Sequence, residues 1–362
     1  MGHTGYIRDS KGWRTSVKGE FVVRVAVFSA KRYDREFLDV ANASAGHQMT
    51  YFDVDLDLNT AALANGYDAV CIFVNDRAGA EVLEVLANGG TRLIALRCTG
   101  FNNVDLPAAA RLGLKVVRVV TYSPYSVAEF AVGLILAVNR KIPRAYNRTR
   151  DFNFALDGLM GFDLKGRTVA VVGTGKIGLV FARLMLGFGC EVIGYDKYPS
   201  PEFEAMGARY AQKGEIGDKA DIISLHCPLT PETQHIVNAD TIARAKRGVL
   251  LVNTSRGALV DTEAAIEGLK SGQIGGLALD VYEQEAELFF RDLSGTIVAD
   301  DVLQRLMAYP NVIVTGHQAF LTQEAISTIC ETTIASISEF AAGQPLSNEI
   351  AAPPSEIAAP AS

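Results

Sequence analysis

From Phe21 onward the chain alternates short apolar runs with charged or glycine-containing segments of helical spacing. The runs VVRVAVF, YFDVDL, DAVCIFV, RLIALR and LKVVRVV follow one another in this way. That rhythm predicts βαβ units on a parallel sheet. Near Tyr122 the pattern changes, and SVAEFAVGLILAVNRKIPRAYNRTR reads as a long helix whose central part is apolar on nearly every side. Such a helix should be buried between elements or subunits, and Pro143 should kink it or end its first half. A second βαβ series begins at RTVAVVGTGKIG and continues through EVIGYD, DIISLH, GVLLVNTS, GGLALDVY and NVIVTG. Two α/β domains are therefore expected, with a last helix from about Thr322 to Ala342.

Composition narrows the class. At 362 residues and 49% hydrophobic the chain can bury two cores rather than one oversized one. A net charge of −7 opposes a nucleic-acid partner, because binding phosphate along a backbone wants a basic face. The five cysteines, Cys71, Cys98, Cys190, Cys227 and Cys330, are widely spaced and lack any C-x-x-C pair, which fits reduced thiols in the cytoplasm and no metal. No run approaches the roughly 20 apolar residues of a membrane span, so no membrane partner is expected. Residues 1–21 mix Arg8, Asp9, Lys11, Arg14 and Lys18 without an apolar run, and read as a disordered extension rather than a secretory signal. The Pro- and Ala-rich residues 351–362 read as a flexible tail.

The strand of VAVVGTGKIG runs directly into Gly173, Gly175 and Gly178, and the apolar-faced segment LVFARLMLGFG follows at once. In a dinucleotide site the first glycine permits the tight turn, the second lets backbone approach the pyrophosphate, and the third lets helix and strand pack closely. The phosphates then meet the free N–H groups of a helix N-terminus. Asp196 closes EVIGYD roughly 20 residues further on, where a carboxylate can accept both ribose hydroxyls and repel a 2′-phosphate. NAD is the expected cofactor.

Hydride chemistry on a 2-keto acid needs a cation for the carboxylate, an acid for the carbonyl oxygen, and a group to hold that acid. Arg256 follows GVLLVNTS at a strand's C-terminal end, where open α/β sheets place ligands. Its planar fork suits a carboxylate. His317 follows NVIVTG in the same way, with His226 of LHCPLT as the rival acid. Glu285 of LDVYEQE could pair with His317 and favour its charged form, and Glu283 is the neighbouring alternative.

The ordered motifs ALRCTGFNNVDL, VAEFAVGLILAVNRKI, GFDLKGRTVAVVGTGKIG, SLHCPLTPET, LLVNTSRGALVD, ALDVYEQE and TGHQAFLT span nearly the whole chain. Through them it resembles the D-2-hydroxyacid dehydrogenases, and among these the bacterial fermentative D-lactate dehydrogenases. The resemblance implies Arg256, Glu285 and His317 as the catalytic trio, which decides for Glu285 over Glu283. It implies Asp280 near the nicotinamide and His226, Cys227 and Pro228 beside the cofactor, with Lys176, Ile177, Thr254 and Ser255 completing that set. Substrate contacts are implied at Thr99, Gly100, Tyr122 and Phe320, together with Arg256 and His317. Phe130 departs from relatives that carry His there. The implied fold is α/β with two Rossmann-like domains, a flavodoxin-like substrate domain (22–121 plus 319–350) and an NAD-binding doubly wound parallel sheet (122–318), with a cleft between them. The implied activity is NADH-dependent reduction of pyruvate to D-lactate by a homodimer or homotetramer, associated so as to bury the apolar helix after Ser126.

Overall fold

The computed structural model describes residues 5–9, 12–17 and 20–350, with only the backbone described as far as Phe21. The expected flexible tail lies outside them. The chain divides into one unit that runs to Tyr122 and resumes at Thr322, and a second unit, Ser123–Leu321. Tyr122 thus falls in the first unit, and Ala319 to Leu321 in the second.

In the segment expected to be a disordered extension, the backbone instead forms strands β1 (Gly5–Asp9), β2 (Gly12–Val17) and β3 (Glu20–Phe21), paired antiparallel in that order. The sequences GYIRD and GWRTSV carry the aromatic and β-branched residues that favour strands, a signal that the intervening charges outweighed. The first unit is otherwise a five-stranded parallel sheet of β4 (Arg24–Val27), β5 (Gln48–Tyr51), β6 (Ala69–Ile72), β7 (Leu93–Leu96) and β8 (Lys115–Arg118). Its order, β5-β4-β6-β7-β8, is the flavodoxin-like one. The β6 and β7 strands are buried at every position, as a sheet covered on both faces requires. At the end of β7 the Arg97 side chain is sealed in, with Nε 3.2 Å from Asp34, Nη2 donating to the Ser29 carbonyl and the guanidinium over the Phe73 ring.

The second unit is a seven-stranded parallel sheet: β9 (Thr168–Val172), β10 (Glu191–Tyr195), β11 (Arg209–Tyr210), β12 (Ile222–Leu225), β13 (Val249–Asn253), β14 (Ile274–Leu279) and β15 (Val312–Val314). The order β11-β10-β9-β12-β13-β14-β15 reverses direction between β9 and β12, the switch point where such sheets bind ligands. Alternate strand residues feed opposite cores. Ala170, Val172, Ile223 and Leu251 pack on one face; Val169, Val171, Ile222 and Leu250 pack on the other with Phe181 and Met185. Each fully buried Val, Ile or Leu contributes about 1.5–3 kcal/mol relative to exposure.

The expected long apolar helix is two helices, Pro124–Asn139 and Ile142–Arg150. The break falls at Lys141, in the left-handed region at φ 53°, and Pro143 stands in the first turn of the second helix, where its missing N–H costs nothing. The first helix packs, as expected, between elements: Ala128, Ala131, Ile135 and Val138 lie in the core with β9, β13 and β14 residues. Gly276 of β14 admits it, because a Cβ there would lie 2.3 Å from Val138 Cγ1 and 2.8 Å from Leu250 Cδ2. Gly276→Ala should therefore overpack this face and cost about 1–3 kcal/mol of stability in urea unfolding, with no loss of secondary structure by circular dichroism.

Candidate active site

Two neighbourhoods form along the C-terminal edge of the seven-stranded sheet. The first is the glycine turn after β9. Gly173, at φ 96°, has no room for a side chain: a Cβ would sit 2.5 Å from the Cys227 nitrogen and 2.6 Å from the His226 carbonyl carbon, on the loop after β12. At Gly178 a Cβ would meet the Gly173 carbonyl oxygen at 2.0 Å, so helix Lys176–Gly187 rests directly on the turn. Gly175 is different. A Cβ on it would point into open space. Open space at the first residues of a twelve-residue helix fits a pyrophosphate on free N–H groups.

Asp196, just beyond β10, is held in place by the turn it serves. Its Oδ2 accepts from Thr174 N (2.6 Å) and the Thr174 hydroxyl (3.2 Å), and its Oδ1 from Tyr198 N (2.8 Å). The Thr174 hydroxyl also meets the Tyr210 hydroxyl at 2.7 Å, a support that sequence reasoning missed. Lys176 opens the helix and Ile177 packs against its core. Pro228 is exposed, and the buried Thr254 hydroxyl has no hydrogen-bond partner. The Ser255 hydroxyl donates to the Cys227 carbonyl (2.7 Å), tying the loops after β12 and β13 together.

His226 offers this site its backbone rather than its ring. The imidazole packs 4.7 Å from the Phe181 ring with Nε2 2.9 Å from Ser224 Oγ, while Nδ1 is buried without a partner. Burial pushes its pKa down to about 3, which leaves it no part as an acid near neutral pH.

The second neighbourhood lies across β13, β14 and β15, adjacent strands whose following loops carry Arg256, Glu285 and His317 in turn. His317 Nδ1 stands 2.9 Å from Glu285 Oε1, and Glu285 Oε2 accepts from Tyr282 N at 2.8 Å. A carboxylate only accepts, so Nδ1 carries the proton in this contact. The rings of Phe290 and Phe320 flank the imidazole at 5.6 and 6.4 Å. Arg256 is placed by Asn253, whose buried amide donates to the Arg256 carbonyl (2.8 Å) and accepts from Ser255 N (3.0 Å). A Cβ on the next residue, Gly257, would lie 2.1 Å from the Tyr282 carbonyl carbon, so the Arg256 loop and the Glu285 turn touch backbone to backbone. Glycine directly after the candidate cation was the legible sign of that contact. Phe290 had none.

Asp280, expected to orient the cofactor, is wholly buried at the end of β14. Its carboxylate accepts from the Thr315 hydroxyl (2.6 Å), Gln318 N (2.9 Å) and Ala319 N (2.8 Å), and its carbonyl from His317 N (2.7 Å). These bonds hold His317 at φ 54°, a left-handed conformation that costs a β-carbon residue about 1 kcal/mol or more. Burial raises the Asp280 pKa, and the three donors oppose the rise. Glu283 turns away from His317 to His235. Thr99, Gly100 and Tyr122 belong to the other unit, Thr99 and Gly100 just beyond β7, with the Thr99 carbonyl accepting from Arg118 Nη1 at 2.9 Å. Among the described residues no group of His, Cys, Asp and Glu is arranged to hold a metal ion, and no helix is long and apolar enough to cross a membrane.

A dinucleotide cradle thus lies on the same sheet edge as an Arg, a Glu and a His suited to carbonyl chemistry. Residues 132–319 match the family described as D-isomer specific 2-hydroxyacid dehydrogenase, NAD binding domain. The chain is 50% identical over 328 residues to a D-lactate dehydrogenase of Escherichia coli, covering 91% of this chain and 100% of that one. It is 52% identical over 324 residues to a 2-hydroxyacid dehydrogenase homolog of Zymomonas mobilis, covering 89% and 98%. The apo structure of the Escherichia coli D-lactate dehydrogenase superposes with a TM-score of 0.84 over 91% of this chain and 100% of that one, at 49% identity. The Aquifex aeolicus D-lactate dehydrogenase complexed with NAD and lactic acid superposes at 0.80 over 91% and 100%, at 30% identity. This chain belongs to the D-2-hydroxyacid dehydrogenase family and is an NAD-dependent enzyme acting on small 2-hydroxy acids.

Two outcomes test the geometry of the first neighbourhood. Gly175→Ala should keep the wild-type melting temperature yet weaken NADH binding by about tenfold or more in a fluorescence titration, since its methyl group fills only the cradle. His226 should lower stability in acid. Its folded-state pKa lies below the unfolded value near 6.5, so the unfolded chain takes up the proton first and stability falls as pH drops below about 6.5. Between pH 6.5 and 5 the unfolding free energy of wild type from urea titration should fall more steeply than that of His226→Gln, by up to about 1.4 kcal/mol per pH unit.

Proposed function

We propose that this enzyme reduces pyruvate to D-lactate with NADH, reversibly and in the cytoplasm, with Arg256, Glu285 and His317 as its reacting trio. The observation that carries the reading is the 2.9 Å contact between His317 Nδ1 and Glu285, on a sheet edge shared with Arg256 and the glycine turn. The choice of substrate leans on the relatives called D-lactate dehydrogenases, one of them 50% identical over nearly the whole chain.

NAD supplies the two-electron carrier, giving a hydride as NADH or accepting one as NAD. Gly173, Gly175, Gly178 and the N-terminus of helix Lys176–Gly187 would hold its pyrophosphate, and Asp196 its adenosine ribose. The planar Arg256 guanidinium binds the 2-keto acid and stabilises negative charge gathering on the carbonyl oxygen. In the reducing direction His317 enters charged, and its Nε2 proton passes to that oxygen as the carbonyl carbon receives the hydride. Glu285 keeps Nδ1 protonated and the ring oriented, so that Nε2 faces the reacting oxygen. In the oxidising direction the same nitrogen enters neutral and removes the hydroxyl proton. Phe320 and Phe290 shield the imidazole from water.

The enzyme works as a homodimer or homotetramer in this reading. Support comes from the stretch after the first long helix, where Phe152, Phe154, Leu156 and Met160 are 69–87% exposed within nine residues, with Ile142 and Tyr146 more than half exposed before them. Monomers rarely leave so much apolar surface contiguous. Light scattering should give a mass that is a multiple of one chain, and Phe152→Glu/Leu156→Glu should shift it toward the monomer.

The catalytic reading is tested by NADH consumption with pyruvate followed by a chiral assay of the product. Wild type should form D-lactate alone, and His317→Asn should lose about 10²- to 10⁴-fold in kcat while NADH still binds. Undiminished turnover in that variant would remove His317 from the mechanism.

A further inference from the structure

A second histidine–glutamate pair lies beside the first, and the chemistry described above does not use it. Glu283 stands two residues before Glu285 on the turn after β14. Its Oε1 accepts from His235 Nε2 at 2.7 Å, and its Oε2 from the Thr262 hydroxyl at 3.1 Å. Because a carboxylate only accepts, Nε2 of His235 carries a hydrogen in either charge state of the ring.

The position of His235 gives the contact its consequence. His235 N donates to the Ala258 carbonyl (2.9 Å), Val237 N to that of Leu259 (3.1 Å), and Asp261 N back to that of Val237 (2.9 Å). The segment around His235 is therefore laced to the stretch that begins two residues after Arg256. His235 itself is held at φ 49°, with its carbonyl accepting from Asn238 Nδ2 at 3.0 Å. Gly257 presses the same stretch against the backbone of Tyr282 and Glu283, and the Thr262 hydroxyl reaches Glu283 from the start of the following helix. The imidazole reaching from one loop to the carboxylate of the other opposes sliding between them.

We propose that His235 and Glu283 form a clasp that sets the register of the Arg256 loop against the Glu285 turn, making both of them positioning residues. The proposal rests on Arg256, Glu285 and His317 being the reacting groups. The two side chains are 36% and 28% exposed, and ion pairs so placed add little to global stability. Misplacing a reacting group by about 1 Å can still cost up to roughly 10²-fold in rate. The clasp should therefore register in turnover and not in unfolding.

The test uses the full-length enzyme with pyruvate and NADH, comparing His235→Ala, Glu283→Ala, their double variant and Glu283→Gln. Each single alanine variant should lose about tenfold in kcat, with NADH affinity and melting temperature near wild type. The double variant should be no worse than Glu283→Ala, because that change alone already breaks the contact with His235. Glu283→Gln, still an acceptor, should retain more turnover than Glu283→Ala. Unchanged kcat in both singles, losses that multiply in the double, equal losses in the Gln and Ala variants, or a fall in kcat matched by a fall in melting temperature would each overturn the clasp. His317→Asn runs alongside. If it is inactive while the alanine variants match wild type, only the clasp fails; if it is active, the catalytic reading fails and the clasp with it.

Discussion

The buried carboxylate of Asp280 is the interaction on which the reacting groups depend. It sits at the end of β14, its backbone N–H donates to the Asn253 carbonyl at the end of β13, and its side chain accepts three hydrogen bonds from the chain that follows β15. One residue thereby joins the ends of three neighbouring strands, the same three whose loops bear Arg256, Glu285 and His317. Burying a carboxylate costs several kcal/mol unless its lone pairs are met, and here Thr315, Gln318 and Ala319 meet them. The same bonds keep His317 in a left-handed backbone conformation that it would not adopt unaided. Strain at His317 is thus offset by satisfaction at Asp280, and the imidazole is aimed at Glu285 as a result.

Where Asp280 works through hydrogen bonds, the cofactor turn works through absence of side chains. Gly173 and Gly178 are bare because protein backbone occupies the space, whereas Gly175 is bare beside open space. The distinction separates two glycines that the packing requires from one that it does not. Thr174, between them, spends its backbone N–H and hydroxyl on Asp196, so the glycine turn and that carboxylate are one rigid piece. Rigidity of this kind lowers the ordering cost of binding.

The five cysteines and His226 illustrate how environment rather than residue type decides chemistry. All five cysteines are buried, and burial pushes the Cys71 and Cys227 thiols up to about 11 and that of Cys330 to about 12, where these three remain protonated. His226, half-buried against Phe181, is neutral for the same reason: desolvation penalises its cation. His317 differs from it in having a carboxylate at one nitrogen.

Much of this was legible in the residues alone. The alternation of apolar runs with helical segments specified two parallel α/β sheets, because a strand covered on both faces must be apolar at every position. The glycine spacing and the acid after the next strand marked the nucleotide turn, since backbone approach and ribose binding demand those residue types in sequence. Arg256, Glu285 and His317 could each be nominated from standing at a strand's end. The tertiary structure supplied partners. The motif resemblance had already chosen Glu285 over Glu283, and the structure sends Glu283 to His235 and Glu285 to His317. The three donors that meet the Asp280 carboxylate, and the packing of helix Pro124–Asn139 against β9, β13 and β14, could not be read along the chain. Strand-end position and residue chemistry are local and can be read along the chain. Burial, and the partner that a polar group finds, depend on segments far apart in sequence, and the fold alone brings them together.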